Sequence, residues 1–123
     1  MIIVVASIHA FVTHAGTFPY NVAKAGIVAM VQSFAIEWGP RVRAVGIAPG
    51  WIGTESVQSF IHASPEREAR HARHQQMHPV GRIGRPEDIG ALCTFLASPL
   101  SSFISGSTLH IDGGLSALVA LPE

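Results

Sequence analysis

The chain has 123 residues, enough for one domain, and 48% of them are hydrophobic while 13% are charged. This composition is typical of a packed globular protein and excludes a disordered one. Eight basic and eight acidic residues cancel, so no net charge attracts nucleic acid or an anionic membrane surface, and we expect neither as a partner.

The first predicted strand covers residues 2–6, an unbroken apolar run of the kind that is buried on both faces of a sheet. A loop from residue 7 to residue 18 follows, with Thr17 as the expected cap of the next helix. That helix is predicted over residues 19–38, because apolar residues recur at helical spacing and Gly39-Pro40 ends it.

The second half of the chain predicts two more strands, over residues 42–48 and 107–111. Each ends at a turn, and Asp112 in the second turn is predicted to hydrogen-bond its neighbours. Three helices are expected between these strands, one within residues 51–60, one opening at Ser64-Pro65-Glu66, and one from Pro86 to Ser98-Pro99. The order of elements indicates an α/β fold, with a Rossmann-like parallel sheet of about three strands flanked by helices.

The chain has one cysteine, Cys93, in an apolar run. An intrachain disulfide is therefore excluded, a reducing compartment is favoured, and Cys93 is interpreted as an inert core thiol. No apolar run is long enough to span a membrane, and the apolar start of the chain is too short for a signal peptide. We expect a cytoplasmic protein without membrane contact.

Tyr20 and Lys24 are four residues apart on the predicted helix, so their side chains share one helix face. An ammonium group near a phenol favours the phenolate, which lets the hydroxyl give or take a proton near neutral pH. Ser7 follows the first strand and can hydrogen-bond the same substrate oxygen. The three residues predict acid/base chemistry between an alcohol and a carbonyl, although for this spacing alone a chance Tyr/Lys pair is the favoured explanation.

Five features in order carry a resemblance to one family: Ser7, the Tyr20/Lys24 pair, residues 47–54, residues 81–88 and residues 106–114. Together they resemble the short-chain dehydrogenase/reductase family over essentially the whole chain, and five motifs in register outweigh the chance pair. The match is to the C-terminal half of the family. The resemblance implies that residues 1–123 form a single partial Rossmann-fold domain.

The resemblance implies that Tyr20 is the general acid/base, that Ser7 holds the substrate oxygen, and that Lys24 acidifies the tyrosine and binds the nicotinamide ribose. The implied cofactor is NAD or NADP, which supplies the hydride. The residues expected to contact it are Tyr20, Lys24, Pro49, Gly50, Ile52 and Thr54. The substrate would be a small carbonyl compound or secondary alcohol, and the full-length form a homo-oligomer, either dimer or tetramer.

The family's glycine-rich turn, which binds a pyrophosphate through backbone amides, has no match in this sequence. The residue that selects NAD or NADP is also missing. We therefore expect a truncated product that holds the catalytic half, with an exposed apolar edge at residues 2–6 that promotes self-association. The alternative is a catalytically inactive fragment that acts only as an assembly or interaction piece.

Some side chains have two interpretations. His71, His74 and His78 have metal-ligand spacing, but solvated positions on a lid over the substrate also explain them and nothing completes the ligand set, so we predict no metal. His9 and His14 are either solvated loop residues or substrate contacts. Three aromatic residues form either a wall of the substrate pocket or part of the core: Phe11, Phe18 and Trp51.

Overall fold

The computed structural model describes residues 1–63 and 65–118, and a parallel sheet of three strands lies at its centre. Strand β1 spans Ile2–Val5, β2 spans Ala44–Pro49 and β3 spans Thr108–Ile111. The strands lie in the order β1-β2-β3, and both pairs are parallel. The predicted α/β class with three parallel strands is confirmed.

Four α-helices join and flank the strands in the described part of the chain: α1 Tyr20–Trp38, α2 Glu55–His62, α3 Arg67–Gln76 and α4 Pro86–Ala97. None of these helices is long and apolar enough to cross a membrane. Short 3-10 turns occupy Ile8–Ala10, Pro99–Ser101 and Leu115–Ala117. The predicted opening of a helix at residues 64–66 is corrected to Arg67, and Ser64 lies outside the described residues.

The start of α1 differs from the prediction. Pro19, not Thr17, occupies the N-cap position, and it provides no side-chain hydrogen bond to the first turn. The Thr17 hydroxyl lies 3.3 Å from Nδ1 of His14 instead, while the Thr17 carbonyl accepts from the N–H of Tyr20 at 2.8 Å. The predicted side-chain cap is therefore wrong, because the hydroxyl contacts the preceding loop.

The core lies on the face of β2 that carries Val45 and Ile47, both fully buried. Side chains alternate along a strand, so these two point to the same side of the sheet, where they pack with Leu96 of α4. Ile3 of β1, paired with Val45, extends the same apolar surface. Cys93 of α4 packs against this cluster and is partly buried, as the prediction of a core thiol requires.

Helix α1 packs against β2 and reaches β1. The alternate positions of β2 carry small residues, Ala44, Gly46 and Ala48, which let a helix approach closely. Val31 is the buried contact of α1, and Phe34 stacks on Trp38 with ring centroids 4.1 Å apart. This packing fixes the first turn of α1 beside the carboxyl end of β1.

An ion pair closes the loop before α4. The Arg82 guanidinium donates to both carboxylate oxygens of Asp88, at 2.6 and 2.9 Å, and the backbone N–H of Arg85 donates to the same carboxylate at 2.7 Å. The hydrogen bond from Arg82, followed by that from Arg85, lowers the pKa of Asp88 to about 2. The carboxylate therefore stays ionised and holds this loop to the first turn of α4.

Candidate active site

Ser7 lies just beyond the carboxyl end of β1 and is buried. Its Oγ accepts a hydrogen bond from the backbone N–H of His9 at 3.2 Å, which caps the following 3-10 turn. Because an oxygen lone pair takes that bond, the hydroxyl proton stays available for another acceptor. Ser7 is thus oriented as a donor at the sheet edge where ligands bind in parallel α/β proteins.

Tyr20 and Lys24 are brought together on α1, as their spacing predicts. The Nζ atom of Lys24 lies 5.5 Å from the centroid of the Tyr20 ring and donates a hydrogen bond to the carbonyl oxygen of Val5 at 3.2 Å. Val5 is a contact that the sequence analysis missed, because a backbone carbonyl carries no residue-type signal. Tyr20 itself is 48% exposed, so its hydroxyl is accessible to a substrate.

Ser7 and Tyr20 line one pocket of about 190 Å³. The rest of the lining comes from the 3-10 turn, from the segment after β2 and from α2: Ile8, His9, Gly50, Trp51, Ile52 and Val57. Larger cavities of about 410 and 440 Å³ lie beside α2 and α3, but neither contains these hydroxyls. The smaller pocket is the candidate active site because both hydroxyl-bearing residues, Ser7 and Tyr20, line it.

Gly50 forms part of this pocket and has no room for a side chain. A Cβ atom at Gly50 would lie 2.9 Å from Cβ of Asp112. The Asp112 carboxylate is held in turn by the backbone N–H groups of Gly114, at 3.0 Å, and Ser116, at 2.8 Å. Burial opposes ionisation, but the hydrogen bonds from Ser116 and Gly114 outweigh it and lower the pKa of Asp112. The prediction of Asp112 as a turn residue is confirmed.

The four residues predicted along the nicotinamide follow one another from the end of β2. Pro49 ends the strand, and Gly50 and Ile52 line the pocket. The Thr54 hydroxyl accepts from the N–H of Val57 at 3.5 Å and caps α2, which leaves its proton free for a ligand.

The two loop histidines contact each other edge-on, with ring centroids 5.2 Å apart, but they differ in their relation to the pocket. His9 lines the pocket, with its ring 6.0 Å from the ring of Tyr20 between centroids, and its Nδ1 is buried without a hydrogen-bond partner among the described residues. His14 is exposed, and its Nδ1 lies 2.8 Å from the carbonyl oxygen of Ala15. Of the two, only His9 is placed to contact a ligand in this pocket.

The three aromatic residues also lie in different environments. Trp51 lines the pocket and contacts His74 of α3 edge-on, with centroids 4.3 Å apart. Phe11 packs on the ring of His110 at 4.6 Å, and Phe18 is 80% exposed. The predicted aromatic wall is therefore corrected to Trp51, and Phe11 and Phe18 belong neither to the pocket nor to the buried core.

His74 of α3 and His78, which follows this helix, bond to the backbone, and His78 is buried rather than solvated as expected. Nδ1 of His74 lies 2.7 Å from the carbonyl oxygen of Arg70, and Nδ1 of His78 lies 2.6 Å from that of His74. Across residues 1–63 and 65–118, no group of three or more His, Cys, Asp or Glu side chains is arranged to hold a metal ion. These contacts secure the C-terminal turn of α3.

A family model described as enoyl-(acyl carrier protein) reductase matches residues 1–116. An uncharacterized oxidoreductase of Thermotoga maritima is 38% identical over 126 residues, spanning all of this chain and 48% of that protein. A 3-oxoacyl-(acyl-carrier-protein) reductase of Chlamydia pneumoniae is 41% identical, over 94% of this chain and 44% of that protein. The sequence matches thus indicate an oxidoreductase family.

The solved structures agree with the sequence matches. The ligand-free aldohexose dehydrogenase of Thermoplasma acidophilum superposes with a TM-score of 0.88 at 29% identity, over 98% of this chain and 50% of that one. The chain belongs to the short-chain dehydrogenase/reductase family. It spans about half the length of the curated relatives that it matches.

Proposed function

We propose that residues 1–123 form the catalytic half of an NAD(P)-dependent oxidoreductase that interconverts a small carbonyl compound and its secondary alcohol. The observation that carries this proposal is the pocket near the carboxyl end of β1 that both Ser7 and Tyr20 line. Lys24 supports it by placing a positive charge 5.5 Å from the centre of the Tyr20 ring.

In the proposed mechanism each side chain has one task. Ser7, whose Oγ already accepts from the N–H of His9, donates a hydrogen bond to the substrate oxygen and holds it in place. Tyr20 passes its own hydroxyl proton to that oxygen in reduction and removes a proton from it in oxidation. Lys24 stabilises the negative charge that remains on the tyrosine oxygen.

NAD or NADP supplies or accepts the hydride when bound. Tyr20, Lys24 and the segment after β2 would hold the nicotinamide end, through Pro49, Gly50, Ile52 and Thr54.

The test is turnover by the purified chain with NADH and NADPH on a panel of small ketones. Tyr20→Phe keeps the ring and removes the hydroxyl, so we expect kcat to fall at least about 100-fold while cofactor binding, followed by fluorescence, stays within about twofold. Ser102→Ala, an exposed serine outside the pocket, is the control and should keep full activity. Equal turnover by Tyr20→Phe and by the unsubstituted chain contradicts the proposal, and absence of both turnover and cofactor binding favours the inactive fragment.

A second candidate function is the inactive assembly piece. It is favoured by β1, which pairs on one side only in the described sheet and carries Val5 with 51% exposure. An apolar edge of this kind promotes association. We expect gel filtration of the chain to show oligomers, and Val5→Lys to shift the population toward monomer. Saturable binding of NADH or NADPH would rule out a purely structural role.

For the whole protein we propose a homo-oligomer, a dimer or tetramer, in the cytoplasm. The single cysteine supports a reducing compartment. Exposed apolar side chains on α1 support a subunit contact there, with Ile36 81% exposed. Cross-linking of the whole protein in cell extracts, compared with an Ile36→Asp variant, tests both the oligomer and the surface.

A further inference from the structure

Trp51 is the largest side chain that lines the catalytic pocket, and two rings from outside the pocket contact it. It lines the pocket together with Ser7 and Tyr20. The imidazole of His74 meets the indole edge-on, with ring centroids 4.3 Å apart, and the ring of Phe60 lies 6.1 Å away at an interplanar angle of 27°. Neither His74 nor Phe60 is among the residues that line the pocket. Both can therefore act on a ligand there only through Trp51.

The two supporting rings have contacts of their own. Nδ1 of His74 lies 2.7 Å from the carbonyl oxygen of Arg70, four residues earlier in α3. The Arg70 guanidinium lies over the Phe60 ring, 4.8 Å from its centroid, and donates to the Phe60 carbonyl oxygen at 3.3 Å. Arg70 thus joins both rings, and with them helices α2 and α3. Side chains that are fixed in this way restrict the rotamers of the group that packs on them.

His74 is the closer of the two supports. Its centroid distance to Trp51 is 4.3 Å, against 6.1 Å for Phe60, and its side chain is partly buried while Phe60 is 51% exposed. Edge-to-face ring pairs stabilise their arrangement beyond the area that they bury. Removal of the imidazole would open a space beside the indole, and the indole could then adopt other rotamers.

The other lining residues indicate which part of a substrate would meet the indole. Ile8, Ile52 and Val57 are apolar, and none of the eight lining residues is Asp, Glu, Lys or Arg. The pocket volume is about 190 Å³. A small, neutral, apolar substituent on the reacting carbon is therefore the group that suits Trp51. A surface that is held in place beforehand binds such a group more tightly than one that must be ordered on binding.

Resting on the proposed function, we propose that His74 is a positioning residue: its imidazole holds Trp51 in place as the surface against which the apolar group of the substrate packs. The contact does not involve the hydroxyls of Ser7 and Tyr20. Loss of His74 should therefore weaken the binding of substrates that reach Trp51 and leave the chemical step unchanged, which raises KM without lowering kcat.

The kinetic test compares cyclohexanol, which has a bulky apolar ring, with propan-2-ol, which leaves most of the pocket empty. In His74→Ala we expect KM for cyclohexanol to rise about three- to tenfold, with kcat, and both constants for propan-2-ol, within about twofold. His74→Phe keeps an aromatic ring beside the indole and should restore most of the affinity. His71→Phe, at an exposed position of the same helix, is the control and should match the unsubstituted chain. An unchanged KM for cyclohexanol in His74→Ala, or an equal rise for both alcohols, overturns the proposal.

A fluorescence measurement on the same variants separates this proposal from the proposed function. Trp38→Phe leaves Trp51 as the single tryptophan, so the emission reports on the pocket alone. In this background we expect His74→Ala to make Trp51 more accessible to quenching by acrylamide and to raise the cyclohexanol concentration at the midpoint of a titration. These changes without turnover would support the role of His74 and contradict the catalytic proposal. Turnover with quenching and midpoint unchanged in His74→Ala would contradict the role of His74 alone.

Discussion

The ammonium of Lys24 donates a hydrogen bond to the carbonyl oxygen of Val5 across 3.2 Å. One side chain thereby connects the second turn of α1 to the last residue of β1, two positions before Ser7. The same ammonium lies 5.5 Å from the centre of the Tyr20 ring. The bond therefore links the element that carries the serine to the element that carries the tyrosine.

Replacing Lys24 with methionine removes the charge and keeps most of the side-chain length. We expect kcat to fall about 100-fold, because the charge that develops on the Tyr20 oxygen loses its counter-charge. The free energy of unfolding should fall by no more than about 1 kcal/mol, since one hydrogen bond at a part-exposed site is lost. Steady-state kinetics and urea unfolding measure the two effects. Arg41→Met, on an exposed arginine, is the control, and equal kcat in both variants contradicts the role of Lys24.

Substitution by alanine is expected to change stability in opposite directions at two glycines. Gly50→Ala places a methyl group 2.9 Å from Cβ of Asp112, so we expect a loss of about 1–3 kcal/mol in stability and a distorted pocket. Gly90 lies within α4 with no atom near its missing Cβ, so Gly90→Ala should gain up to about 1 kcal/mol. Thermal unfolding of both variants measures the difference. Equal melting temperatures would show that the turn around Asp112 relaxes freely.

The ion pair between Arg82 and Asp88 predicts a dependence of stability on acid. The pKa of Asp88 is lowered from 3.8 to about 2 in the folded chain, so its stabilising contribution is complete above the unfolded value and is lost as the pH falls through about 2. Asp88→Asn should lower the melting temperature at pH 7 and reduce its decline between pH 4 and pH 2. Glu87→Gln, one residue away and exposed, should keep the original profile. Parallel profiles for Asp88→Asn and the unsubstituted chain contradict the assignment.

Alanine substitutions of two leucines, one in α4 and one just after it, test how much core packing contributes to stability. Leu96 is fully buried against Val45 and Ile47, so Leu96→Ala should cost about 2–5 kcal/mol. Leu100 is 84% exposed, and Leu100→Ala should change stability by less than about 0.5 kcal/mol. Denaturant unfolding followed by tryptophan fluorescence gives both values. Similar losses would mean that Leu100 is covered by another surface in solution, such as a second subunit.

The elements with strong local patterns were predictable from the sequence. The apolar run at residues 2–6 gave β1, and the Tyr20/Lys24 spacing put both side chains on one face of α1. The expected cap at Thr17 failed because a hydroxyl in a loop has several nearby partners, and here it contacts His14. Residue propensity alone does not determine which of these partners the hydroxyl contacts.

The composition of the pocket was less predictable than its reacting groups. Trp51 and His9 were each assigned two possible environments, because periodicity does not tell where a loop residue packs. Val57 of α2 carries no chemical signal, and it lines the pocket together with the residues that follow β2. Such contacts depend on tertiary packing between elements that are distant in sequence.

The side chain of His9 lines the pocket, and its main chain has a separate role. The peptide N–H supports Ser7, and every residue except proline has one. Another side chain can therefore replace the imidazole in the lining of the pocket while Ser7 keeps this hydrogen bond. Proline is the one replacement that would remove the N–H that supports Ser7.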